Sequence, residues 1–375
     1  MPGFDPLAFA ELAVKRIKER VEGEALAAVS GGVDSTTAAV LAKRALGDRL
    51  HAVVIDTGFL REGEAQLVAS SLRSLLDPEI LDRSDRFFEA VRDLSDPEEK
   101  RKKFREVFYS VLSEEARERG VKWLIQGTIA PDVIETVGGI KTQHNVLEQA
   151  GVRSLERFGF RVLEPLVDLY KDQVRALARS LGIPKEISER QPFPGPGLLV
   201  RCLGRCGPEK LSTVRAVTSV VEEVFGGLGC SQYLAAAFEE GGFRRPDLER
   251  AAEVEEVREL SARATGVKGD QRRFGLMLAV SGIDYPDRAA EVRRSLIRAE
   301  PRAVRVLVEV ERRSSGEFGV AARAVTTEDF MTASPCLPSM EILKEAAKLA
   351  FSSAPKCGTF YYDLTPKPPA TIEFE

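Results

Sequence analysis

ALAAVSGGVDSTTAAV, residues 25–40, is a short apolar run, a turn of hydroxyl, glycine, glycine and acid, and a second run able to wind into a helix. A strand feeding Gly31 and Gly32 and then a helix aims unpaired backbone N–H groups, and the positive end of a helix dipole, at one spot. Ser30 and Ser35 add hydroxyls, Val33 begins the helix, and the glycines let an anion approach the backbone closely. That spot suits phosphate. The GxxxxGK[ST] loop is absent, which excludes a Walker-type nucleotidase. Asp34 is the odd member, because it repels phosphate unless Mg²⁺ stands between them; Mg²⁺ favours one or two carboxylates plus phosphate oxygens. A helix capped by Ser or Asp over a glycine turn explains the same letters without a ligand, so the loop alone leaves both readings open.

Outward from this loop, LHAVVID (50–56), EILD (79–82) and KWLIQG (122–127) read as further strands. Between them TTAAVLAKRAL, EAQLVASSLRSLL and EKRKKFREVFYSVLSEEARERG carry the 3.6-residue apolar period of helices. Strand alternating with helix predicts an α/β fold with a doubly wound parallel sheet and ligands at the carboxyl ends of its strands. SERQPFPGPGLLVR (188–201) is too rich in Pro and Gly for regular structure and reads as a boundary. The expected division is 1–190, a connection over 191–207, and a second α+β domain over 208–375. That domain should hold a helix over 208–225, a solvated helix face in DLERAAEVEEVREL (247–260), a strand over 302–313, a helix near 339–351 and a terminal TFYYDL.

A chain of 375 residues, 43% hydrophobic, can bury the cores of two or three domains. A net charge of -4 gives no global attraction to nucleic acid or an anionic membrane. There is no run of 18 apolar residues, and the charged, amphipathic first 23 residues lack a signal peptide's apolar core, so the expected location is cytoplasmic. The five cysteines are odd in number and scattered, and read as reduced thiols. Cys202 and Cys206 form CLGRC, but no second Cys or His pair follows at ligand spacing, which favours small buried residues over a metal site.

SGGVDS after a first strand resembles the pyrophosphate loop of the N-type ATP pyrophosphatases, which cleave ATP to AMP and pyrophosphate while adenylating a substrate. VIDTGFLREGE, DPEEKRKKF, LIQGTIAPDVIET, GGIKTQHNV, EPLVDLYKDQVRALARSLGIP, RQPFPGPGL, GVKGDQRRFG, DFMTA and DLTPKPPATIEFE resemble, in order, the ATP pyrophosphatase and dimerisation portions of GMP synthetase. The resemblance is weaker over 200–265 and 281–328. It implies an adenine-nucleotide hydrolase-like first domain and a C-terminal dimerisation domain. Beside Ser30, Gly31, Gly32, Val33, Asp34 and Ser35, it implies ATP contacts from Asp56, Arg61, Gln126, Gly127 and Thr128. Asp132 completes a Mg²⁺ site with Asp34 or caps a helix; the residues leave both open. Lys171 is suited to neutralise phosphate charge. Arg101, Asp270, Lys367, Thr371 and Glu373 are expected around XMP, with Lys367-Pro368-Pro369 held extended. In GGIKTQHNV two glycines make a hinge for a lid that excludes water, with Lys141 and His144 as its catalytic candidates. Gln143 replaces a histidine common in the family, as does Gln191 before PFPGPG.

The implied reaction is adenylation of XMP by Mg-ATP, then displacement of AMP by ammonia to give GMP. With SGGVDS at residue 30, no amidotransferase domain is expected ahead of it, so ammonia comes free or from a separate glutamine amidotransferase partner; a homodimer is expected. The alternatives are a non-catalytic nucleotide-binding paralogue, or another member such as a tRNA-thiolating enzyme, which would want a catalytic Cys pair and a basic face.

Overall fold

The computed structural model describes residues 4–137, 158–268, 271–327 and 331–375. The chain forms two compact units, one of Met1–Ala90 with Lys102–Phe193 and one of Val91–Arg101 with Pro194–Glu375.

In the first unit five parallel strands, β1 (Ala25–Ala28), β2 (Leu50–Asp56), β3 (Glu79–Asp82), β4 (Trp123–Ile125) and β5 (Arg161–Leu163), lie in the order β3-β2-β1-β4-β5. The order reverses at β1, and the crevice at such a switch point is where open α/β sheets bind ligands. Small residues make the central position possible. Ala25, Leu26 and Ala27 are fully enclosed, and the helix Val33–Leu46 buries Ala38, Ala39, Leu41 and Ala42 as it packs with the helices Pro6–Arg20 and Lys171–Ser180. Asp5 caps the first of these, its side chain accepting from Leu7 N and Ala8 N. The strand expected over 122–127 ends at Ile125, so Gln126, Gly127 and Thr128 lie beyond the sheet edge, where side chains can face a ligand. RVL, only three residues, is too short to show a period, so nothing in the sequence announces β5.

The second unit is built on a mixed eight-stranded sheet. β12 (Ser334–Pro335), β11 (Phe318–Thr326), β13 (Cys357–Asp363), β10 (Ala303–Arg312), β9 (Gln271–Ser281), β8 (Glu256–Lys268) and β7 (Gly242–Arg244) run in that order, and β6 (Gln232–Glu239) pairs with β11. Its centre holds a buried ionic cluster. Asp363 accepts from Arg305 Nη1 at 2.8 Å and Arg323 Nη1 at 2.7 Å, and all three side chains are fully enclosed. Burial works against ionisation of Asp363, but Arg323 and Arg305 hold its carboxyl below the usual range.

Four expectations are corrected here. The Pro/Gly-rich stretch is not irregular throughout: Gly197–Arg201 is a 3₁₀ turn with all five residues buried, because Leu198, Leu199 and Val200 supply apolar surface. DLERAAEVEEVREL is not one helix face. The helix Pro246–Ala252 stops at Glu253, whose φ of 54° is left-handed, and β8 follows. Lys367-Pro368-Pro369 is not extended: both X-Pro bonds are cis and the chain turns, Ala370 N donating to Pro366 O at 3.1 Å. Two of the five cysteines are not thiols. Ser231 N and Cys336 N donate to neighbouring carbonyls of β11, Val325 and Ala324, which brings Cys230 and Cys336 to a Cα separation of 6.5 Å and a disulfide across 106 residues of sequence. Cys202, Cys206 and Cys357 are free and buried.

Candidate active site

Beyond β1 the chain turns at Gly31, with φ of +75°, and Gly32 starts the helix Val33–Leu46 with no side-chain cap bond. The Ser/Asp capping alternative is therefore not what the loop does, and first-turn N–H groups remain open to an anion. The hydroxyls brace the turn. Ser30 N donates to Ser35 Oγ at 3.2 Å, the two hydroxyls lie 3.0 Å apart, and Ser35 Oγ donates to Gly32 O at 3.3 Å.

Asp34 Oδ2 accepts from Lys171 Nζ at 2.5 Å, while its Oδ1 is buried without a hydrogen-bond partner among the described residues. Burial pushes the Asp34 carboxyl above the usual range, Lys171 draws it down, and Asp132 pushes it up again. Asp132 also braces its own helix, its Oδ2 accepting from Ile129 N at 3.1 Å. An unsatisfied carboxylate oxygen with a second carboxylate close by fits a cation. Among the described residues no group of three His, Cys, Asp or Glu would hold a metal by itself, so the donor set suits Mg²⁺ arriving with phosphate oxygens.

The neighbouring strand ends converge on this loop. Asp56 at the end of β2 accepts from Gly58 N at 2.9 Å. Gly127 presses against the first turn of the loop helix, where an added Cβ would stand 2.6 Å from Asp34 C and Ser35 N. Thr128 Oγ1 donates to Glu164 at 2.6 Å, and Gln126 Nε2 donates to Tyr109 Oη at 3.3 Å. Arg61 stacks 3.9 Å over the Phe193 ring and donates to Glu64 through both its backbone N and its Nη1. Glu64, Arg190 and Arg175 belong to the same neighbourhood and do not stand out in the sequence, since each sits in an ordinary charged stretch. Arg190, directly before the PFPGPG turn, has the one usable signal. Lys141 and His144 lie outside the described residues, as does Asp270.

In the second unit, Glu373 receives a fork from the buried Arg201, Nε at 3.1 Å and Nη2 at 2.9 Å. The Thr371 hydroxyl faces inward, 2.9 Å from Thr265 O, and accepts from Arg305 Nη2 at 3.0 Å. Lys367 is half-buried and pairs through its backbone with Ala333. Arg101 Nη2 donates to the backbone oxygen of Glu375; burial and then Arg272 lower its pKa. The enclosed Lys100 donates to Glu375 at 2.5 Å and to Cys202 O at 2.7 Å. Three of the expected XMP residues, Arg101, Thr371 and Glu373, are thus brought to one segment by buried cations, an arrangement no spacing in the sequence announces.

The family described as PP-loop domain matches residues 8–185, and the one described as GMP synthase C terminal domain matches residues 297–374. A relative from Sulfurisphaera tokodaii, the synthetase subunit of a glutamine-hydrolyzing GMP synthase, is 45% identical over 372 residues, 99% of this chain and 100% of that protein. The chain belongs to the GMP synthase family. The corresponding GMP synthase subunit of Thermococcus kodakarensis is 40% identical across 98% of this chain and 99% of its own. A solved NMN synthetase from Francisella tularensis aligns over 52% of this chain and 78% of its own, at 18% identity and a TM-score of 0.41, a likeness that carries no weight here. As a GMP synthase the chain is a carbon–nitrogen ligase of GMP biosynthesis that uses ATP. The glycine loop after β1 falls inside the PP-loop match, and KPPATIEFE falls almost entirely inside the GMP synthase C-terminal match.

Proposed function

We propose the following assignment of steps and residues for this synthetase, which converts ATP to AMP and pyrophosphate as it makes GMP. The XMP C2 oxygen attacks the α-phosphorus of ATP; the new O–P bond forms as the bond to pyrophosphate breaks. Ammonia then attacks C2, AMP departs with the electron pair, and GMP remains after loss of a proton. An amide-like oxygen is a poor leaving group and AMP a good one.

The observation that carries this reading is the uncapped Gly31-Gly32 turn beside the half-satisfied Asp34 carboxylate and Lys171. The open N–H groups receive the departing pyrophosphate, whose charge grows in the transition state. Lys171, held by Asp34 without nucleotide, can shift to the phosphates, and Arg175 adds positive charge beside it. Asp34 and Asp132 are the residues to hold Mg²⁺, which when bound neutralises phosphate charge. Asp56, Arg61, Gln126, Gly127 and Thr128 line the adenosine side. Arg101, Asp270, Lys367, Thr371 and Glu373 hold XMP, and Lys141 and His144 act from a loop that excludes water from the adenylated intermediate. The relatives' printed names support a separate glutaminase partner as the ammonia source. The working form is a cytoplasmic homodimer; among the described residues no helix is long and apolar enough to cross a membrane.

The test is incubation of the purified chain with Mg-ATP, XMP and ammonium, following loss of XMP absorbance and formation of AMP. Binding of both nucleotides without AMP would favour the non-catalytic alternative.

A further inference from the structure

Glu64 is an almost fully enclosed carboxylate that serves two guanidinium groups at one oxygen. Its Oε1 lies 2.7 Å from Arg190 Nη2 and 3.1 Å from Arg61 Nη1, with the Glu64 side chain only 3% exposed. Arg61 is additionally fixed by its stacking on Phe193 and by its backbone bond to Glu64 Oε2. The second cation is therefore the one in excess. Arg190 also reaches the loop: a Cβ placed on Gly31 would stand 3.4 Å from Arg190 Nη1, so the missing side chain of Gly31 lets the guanidinium approach the turn itself. One carboxylate for two arginines leaves a net positive charge, partly desolvated, beside a turn that presents open N–H groups.

We propose that Arg190 is a further ligand of the leaving pyrophosphate, and that Glu64 positions it and limits its grip. This rests on the reading of the Gly31-Gly32 turn as a pyrophosphate cradle. The planar fork of arginine suits two oxygens of one phosphate group at once. Glu64 withdraws part of that charge, which keeps product release possible. Lys171 and Arg190 then approach the same anion from different elements, one from the helix Lys171–Ser180 and one from the segment leading to PFPGPG.

The test uses inorganic pyrophosphate with Mg²⁺ as the probe and the full chain, by titration calorimetry and by product inhibition of AMP formation. Arg190→Ala should weaken pyrophosphate at least tenfold and leave the KM for XMP unchanged, with Arg190→Lys restoring part of the loss. Glu64→Gln should tighten pyrophosphate about threefold or more, a change of sign that damage to the fold would not produce. Pyrophosphate affinity within twofold of the parent in Arg190→Ala, or weakened in Glu64→Gln, overturns the assignment of Arg190 while leaving the cradle standing. A parent chain that binds no pyrophosphate overturns both.

Discussion

Asp34 shows how one carboxylate can be built for two states. Its buried, unpartnered Oδ1 costs stability in the nucleotide-free chain, and a cation carried by ATP removes that cost. Asp34→Asn should lower ammonia-dependent GMP formation at least about 100-fold, in line with loss of a group that acts on transition-state charge, while the protein stays folded by circular dichroism. Glu375 makes a different prediction. Burial pushes its carboxyl up to about 7 even though Lys100 opposes the shift. The folded state then holds a proton that the unfolded chain has released, so this group's contribution is full below its ordinary value of 4.5 and is lost as pH rises through about 7. Melting temperatures of Glu375→Gln should therefore fall less between pH 4.5 and 7 than those of the parent; parallel curves would show that Glu375 does not titrate there. The loop chemistry at Asp34 is legible in the sequence because its residues are contiguous. The seat of Glu375, shared by Lys100 and Gly204, is not, because its partners lie more than a hundred residues away.

At the scale of elements, the parallel sheet is readable from β1 to β4 because alternating apolar runs and amphipathic helices leave a periodic trace. The packing of β4 against the loop helix is less visible. Gly127 looks like a nucleotide contact in sequence, yet it is also a clearance: Gly127→Ala would drive a Cβ into the backbone of Asp34. That variant should lose about 1–3 kcal/mol of stability, as overpacked sites do, with ATP use falling in parallel; a melting temperature equal to the parent's would contradict the clearance. In the second unit the signal of DLERAAEVEEVREL misleads, since its charges are paired across elements, Arg245 with Glu259 and Glu300, rather than solvated on one face. The Cys230–Cys336 bond is hidden for a similar reason: only the register of β6 and β12 on β11 brings the two together. Alkylation under denaturing, non-reducing conditions should modify three cysteines, Cys202, Cys206 and Cys357, and mass spectrometry reads the number; five modified thiols would remove the disulfide.

Across the whole molecule the sequence carries two kinds of information in two places. The turn after β1 governs what happens to ATP, and KPPATIEFE carries the expectation of which substrate receives the adenylyl group. The GMP synthase relative from Saccharolobus solfataricus matches this chain over 374 residues, so both places belong to one polypeptide there as here. Arg201, Arg305 and Lys100, three enclosed cations, organise the C-terminal segment from within the second unit. The central claim is that this chain makes GMP from XMP by adenylation. The most direct measurement mixes the purified chain with Mg-ATP, XMP and either ammonium or glutamine, and follows XMP loss together with AMP and pyrophosphate. Stoichiometric AMP, pyrophosphate and GMP with ammonium, and essentially none with glutamine alone, is the predicted result. Conversion of ATP to ADP, no consumption of XMP with ammonium, or equal turnover with glutamine alone would contradict the account.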